Sequence, residues 1–123
     1  MAETLVKSGV TTTGIDHVVL YVSDLARSTA FYSDVLGMTA DRVDGFQARL
    51  HCGDQLIVLF QSDGAVTTGA EINHLAFKIQ SATREELKAC LESHGIEVSA
   101  RPGDPTCVYF SDPDGHRLQL MVR

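Results

Sequence analysis

Two histidines in this sequence stand in matching surroundings. His17 lies in GIDHVVLYV (residues 14–22) and His74 in EINHLAFKI (residues 71–79). Both stretches are rich in β-branched and aromatic residues and read as strands. Imidazole adds little to an apolar core. Each ring is therefore either a satisfied core group or a group aimed at a metal, a substrate or the other ring. The likeness extends further along the chain, since Gly37 follows His17 by 20 residues and Gly95 follows His74 by 21. One histidine in a strand carries little weight, whereas two at equivalent places of a repeat point to a shared site.

Strand alternation says which other residues accompany them. His17 shares a face with Ile15, Val19 and Tyr21, and the opposite face is lined by Val18, Leu20 and Val22. His74 shares a face with Ala76 and Lys78, opposite the more apolar Leu75, Phe77 and Ile79. The apolar sets should pack on helices, leaving the histidines on the other side, in a common groove. In the last strand, HRLQLMV, Leu118, Leu120 and Val122 take the apolar face and Gln119 the groove face. The comparable place in QLIVLF is Val58, which offers no donor atom. Tyr21 and Lys78 could orient an anionic or carbonyl substrate. Tyr109 is a further candidate for substrate contact, with packing as the alternative. Arg117 is read as solvent-exposed, and the strand face of His51 is ambiguous.

The elements that must position these residues form a repeat. After an arm over residues 1–13 and the first strand, Ser23 or Asp24 can cap a helix through about residue 36, with Gly37 beyond its end. Strands are expected near 38–43, 46–52 and 55–61. A linker, SDGAVTTGAE, covers residues 62–71. The second copy opens with EINHLAFKI. Thr83 to Glu86 then fits a capping box for a helix through about residue 93, with Leu87, Cys90 and Leu91 on its apolar face. Strands follow near 96–101, 106–111 and 116–122, the last two joined by the turn DPDG. The reading is α+β: two tandem βαβββ modules, residues 14–61 and 72–122, forming one domain. Neither module can bury both faces of its own sheet.

The chain has 123 residues, a net charge of −6 and 44% hydrophobic residues, ordinary for a soluble globular domain. The acidic balance argues against nucleic acid as a partner, and no apolar run suits a membrane helix. The three cysteines, Cys52, Cys90 and Cys107, are widely spaced, with no CxxC pair, and read as free buried thiols. With no secretory signal at the N-terminus, a reducing cytoplasmic setting is expected.

The stretches GIDHVVLYVSDLARSTAFYSDVLGM, INHLAFKI and VYFSDPDGHRLQLMV together resemble the vicinal oxygen chelate superfamily, which includes glyoxalase I, bleomycin-resistance proteins, fosfomycin-resistance enzymes and extradiol dioxygenases. The last stretch is similar to the family ending Y-F-x-D-P-D-G-x-x-x-E-L. The resemblance implies a glyoxalase-like cleft of mixed sheet with helices outside, a homodimer, and a divalent metal (Fe, Mn, Zn or Ni). Its ligand positions fall on His17, Val58, His74 and Gln119. Gln119 stands where the family has Glu, and Val58 cannot ligate, so the resemblance implies metal ligands His17, His74 and Gln119 and argues against glyoxalase I activity proper. Lyase, isomerase or dioxygenase chemistry on a substrate with vicinal oxygens is the function expected, with no general base assignable. The alternative is a metal-independent small-molecule binding protein of the bleomycin-resistance type.

Overall fold

The computed structural model describes residues 9–11, 13–68, 72–100 and 107–122, with the side chain of Cys107 excepted. β1 (His17–Val22) leads into α1 (Leu25–Ala30), which continues as a π-helical turn, Phe31–Val35. β2 (Thr39–Val43), β3 (Gln47–Cys52) and β4 (Gln55–Gln61) complete the first module. The second contains β5 (Leu75–Lys78), α2 (Arg84–Ser93), β6 (Cys107–Ser111) and β7 (Arg117–Met121). The expected arm lies mostly outside the described residues, as do residues 69–71 of the linker and residues 101–106.

Local chemistry sets the helix ends. Asp24 caps α1, its Oδ1 accepting from the Arg27 N–H at 3.1 Å. The capping box at α2 is complete: Glu86 N–H donates to Thr83 Oγ1, and Thr83 N–H to Glu86 Oε1. Gly37 and Gly95 both follow helix ends at positive φ, 75° and 77°, where a side chain would be strained. The first helix departs from expectation beyond Ala30. The Leu36 N–H reaches back five residues to Phe31 at 3.3 Å, which widens the helix and seats Phe31 and Tyr32 side by side in the core. The strand expected at 96–101 reduces to a bridge between Ser99 and Tyr109 among the described residues.

The strands make two sheets, ordered β1-β4-β3-β2 and β5-β7-β6. In each, the strand before the helix runs parallel to the last strand of its module, and the rest of the sheet is antiparallel. This is the βαβ-plus-hairpin connection that the repeat requires. The sheets are separate hydrogen-bonded units, yet they share one core. Leu20, Val22, Leu50, Ile57 and Leu59 of the first sheet cluster with Val108, Phe110, Leu118 and Leu120 of the second, and with Phe31, Tyr32 and Leu91 from the helical segments. Cys90, expected on the apolar face of α2, is exposed instead.

Each module also reaches across to the other through polar groups. Asp112 is 5% exposed and accepts from Tyr32 Oη at 2.6 Å, His116 Nδ1 at 2.7 Å, and the backbone N–H groups of His116 and Asp114. Asp114 in turn accepts from the Ser23 N–H and the Ser28 hydroxyl. The turn expected from DPDG is thus also the anchor between modules.

Candidate functional site

The register fixes which side chains share the faces turned away from the core. On the first sheet, His17, Leu56 and His51 lie in one row across β1, β4 and β3. Val19, Val58 and Arg49 form the next row, and Tyr21, Phe60 and Gln47 the third. Val58 is 6% exposed yet stands outside the core cluster, as its parity requires. On the second sheet, Ala76, Gln119 and Tyr109 form a row across β5, β7 and β6, and Lys78 pairs with Met121. Gln119 and Tyr109 are likewise buried but outside the core cluster. The expected division, apolar faces inward and histidine-bearing faces away from the core, matches this register.

The two histidines sit on different sheets, and each is held by the residue before it. His17 Nδ1 is 2.7 Å from Asp16 Oδ2, and His74 Nδ1 is 2.9 Å from Asn73 Oδ1. Both partners present an oxygen to Nδ1, an arrangement that suits the Nδ1–H tautomer of a neutral ring, in which Nε2 carries the lone pair. Neither Nε2 has a partner among the described residues. A ligating imidazole is oriented in the same way, by an oxygen on its second nitrogen. The donor set of two such imidazoles and one amide oxygen, Gln119, suits a divalent first-row ion. Among the described residues, no group of three or more His, Cys, Asp or Glu converges within this single chain.

The other candidates fall on the same two faces. Tyr21 is exposed and meets the Phe60 ring edge-on, and the Phe46 ring lies tilted against Phe60 with centroids 5.0 Å apart. Lys78 is exposed at the end of β5. Tyr109 meets the His74 ring edge-on, their centroids 5.6 Å apart.

Three features escaped the sequence reading. Arg117 is exposed, as expected, yet its guanidinium also lies 4.4 Å from the centre of the Tyr109 ring, a contact that spacing along β7 does not report. His51 Nε2 contacts Asp41 Oδ2, and Arg49 Nε lies 3.8 Å from the other oxygen of Asp41. Asp41 is the extra residue at a register shift in β2, which lets its carboxylate reach across to β3. The signal for His51 was present: with Ala48 and Leu50 in the core, 49 and 51 must face outward. The third feature is the Asp112 cluster. Hydrogen bonds from His116 and Tyr32 outweigh burial there and hold the Asp112 carboxyl below the usual range. The bond to Asp112 lifts the His116 imidazolium above its ordinary value against the opposing effect of burial. Burial, then the charge of Asp112, pushes the Tyr32 phenol up.

Comparison with known proteins agrees with this architecture. Residues 14–120 match the family model of the Glyoxalase/Bleomycin resistance protein/Dioxygenase superfamily. The chain is 31% identical over 112 residues to the glutathione transferase FosA of Serratia marcescens, covering 88% of this chain and 79% of that protein. It is 29% identical to the metallothiol transferase FosB of Staphylococcus epidermidis, with 88% and 80% covered. A mutant of the fosfomycin resistance protein FosX from Listeria monocytogenes, solved with Mn(II) and 1S,2S-dihydroxypropylphosphonic acid, superposes with a TM-score of 0.79. The two are 25% identical, with 92% of this chain and 94% of that one covered. With the family model spanning nearly all of both modules, the chain belongs to the Glyoxalase/Bleomycin resistance protein/Dioxygenase superfamily.

Proposed function

We propose that this chain is a metal-dependent enzyme that modifies a small molecule bearing two neighbouring oxygens. His17, His74 and Gln119 would hold the ion. The observation that carries the reading is the paired state of the imidazoles, each with Nδ1 engaged by the preceding side chain and Nε2 open on a face turned away from the core. The relatives support it, since one is named a metallothiol transferase and another was solved with Mn(II) and a dihydroxyphosphonate.

The bound ion would act as a Lewis acid toward the substrate oxygens. Asp16 and Asn73 fix the tautomers of the two rings, and Tyr109 buttresses His74. Tyr21, Phe60 and Phe46 give the first sheet's face an apolar end on which a substrate side group can rest. Valine and glutamine stand at 58 and 119, so neither position supplies a carboxylate base. Lyase, isomerase, dioxygenase or group-transfer reactions fit this frame, and fosfomycin is the first substrate to test.

The two histidines occupy different sheets of one chain, and Tyr21 and Phe46 are 57% and 56% exposed on the first sheet's face. We assign the completed site to a homodimer, in which the His17 face of one chain meets the His74 face of another. Elemental analysis after equilibrium dialysis against excess Mn(II), corrected for the free ion, should find about one ion per chain. His17→Ala and His74→Ala should each lose it. A wild-type protein that takes up none of Mn(II), Fe(II), Zn(II) or Ni(II) would sink the proposal.

One observation favours a second reading. Gln119 brings a neutral amide where a carboxylate would bind a dication more strongly, which suits a metal-independent protein that sequesters its ligand. Ligand binding abolished by EDTA would exclude it.

A further inference from the structure

The second sheet's outward face has an uneven charge. Its described positions are Ala76 and Lys78 on β5, Tyr109 and Ser111 on β6, and Arg117, Gln119 and Met121 on β7, with His74 against Tyr109 at one end. None of these is a carboxylate, and two carry fixed positive charge. Arg117 shares this face with Gln119 and is exposed. Its guanidinium stacks on Tyr109, the residue directly paired with Gln119, and it precedes Gln119 by two on the same face. The Tyr109 ring in turn touches His74. The proposed ligand set is therefore neutral and sits beside a fixed cation. The nearest carboxylate to either imidazole is Asp16, which is 90% exposed and bonded to the far nitrogen of His17.

A dication among two imidazoles and an amide keeps its full charge, and Arg117 raises the local potential further. The ion alone should bind weakly there. An anionic chelating substrate removes that penalty by bringing the missing negative charge to the metal and to Arg117 together. Resting on the metal site assigned above, we infer that metal and substrate bind this protein cooperatively. The substrate class is then an oxyanion with a neighbouring oxygen, such as a hydroxyphosphonate or a hydroxycarboxylate. Gln119 is the residue that creates the coupling, and Arg117 recognises the anion. Linkage requires the effect to be reciprocal, so that the metal tightens the anion as much as the anion tightens the metal.

The test is a Mn(II) titration of the metal-free wild-type protein, followed by the electron paramagnetic resonance of the free ion. It is run with and without 1S,2S-dihydroxypropylphosphonate and corrected by the same titration lacking protein. The phosphonate should tighten Mn(II) binding at least about tenfold. Gln119→Glu should bind Mn(II) at least about tenfold more tightly alone and gain less than about threefold from the phosphonate. Arg117→Gln should bind Mn(II) alone somewhat more tightly than wild type and lose most of the gain from the phosphonate. Equal wild-type affinities with and without the phosphonate overturn the coupling and leave the metal site standing. A full gain retained in Gln119→Glu overturns the role of Gln119. No Mn(II) uptake by wild type or Gln119→Glu, with or without the phosphonate, overturns the metal assignment and the coupling with it. The wild-type comparison needs no variant, and circular dichroism checks that each variant is folded.

Discussion

The Tyr32 hydroxyl donates to Asp112 Oδ2 across 2.6 Å, and in doing so ties the helical segment of the first module to the turn of the second. Tyr32 is fully buried and Asp112 nearly so. A hydrogen bond to a buried carboxylate contributes more than one between neutral groups. Tyr32→Phe removes the donor without emptying the ring's place in the core. It should cost about 1.5–3 kcal/mol in denaturant unfolding, with the fold retained because His116 and two backbone N–H groups still satisfy Asp112. A loss below about 0.5 kcal/mol would show that the contact does not couple the modules.

The same cluster makes stability depend on pH in a window that the directions of its shifts define. The folded-state pKa of His116 is raised above 6.5, so its contribution is complete below about that pH and fades as pH rises through the folded value. The folded-state pKa of Asp112 is lowered below 3.8, so its contribution is present above that pH and fades as pH falls through the folded value. The cluster is strongest between these limits. His116→Asn should flatten the decline in stability from about pH 6 to about pH 9 relative to wild type. Identical slopes for the two proteins in that range would refute the assignment.

Mixing two inactive variants tests where the histidines of one site come from. If the chain is the proposed homodimer, co-refolded His17→Ala and His74→Ala chains should form mixed dimers in about half the population. If each site draws His17 from one chain and His74 from the other, every mixed dimer restores one site, and Mn(II) uptake returns to about a quarter of wild type. A site built within one chain restores none.

Much of the fold was legible because the repeat doubled every signal. The capping box, the two terminal glycines and the alternation around Leu20, Phe77 and Leu118 each follow from local chemistry, and these elements stand where the sequence placed them. The π-helical turn was not legible. It exists because Phe31 and Tyr32 must both enter a core shared with the other module, and spacing within one helix does not report that demand. The faces of Gln119 and Arg117 followed from parity, and Arg117 is exposed as expected, whereas its contact with Tyr109 did not follow, since it depends on a neighbouring strand. The role of Asp112 was hidden for a similar reason: DPDG is a sufficient turn signal by itself, and Tyr32 lies 80 residues away.

The register shift at Asp41 bears on how copies of this chain can meet. β2 is an outer strand of its sheet, and a flat outer strand invites a foreign strand to add alongside. The extra residue spoils the regular spacing of hydrogen-bonding groups there, and Arg42 and Asp44 add charge to the same margin. Ribbon-like extension of the first sheet through this border is therefore disfavoured.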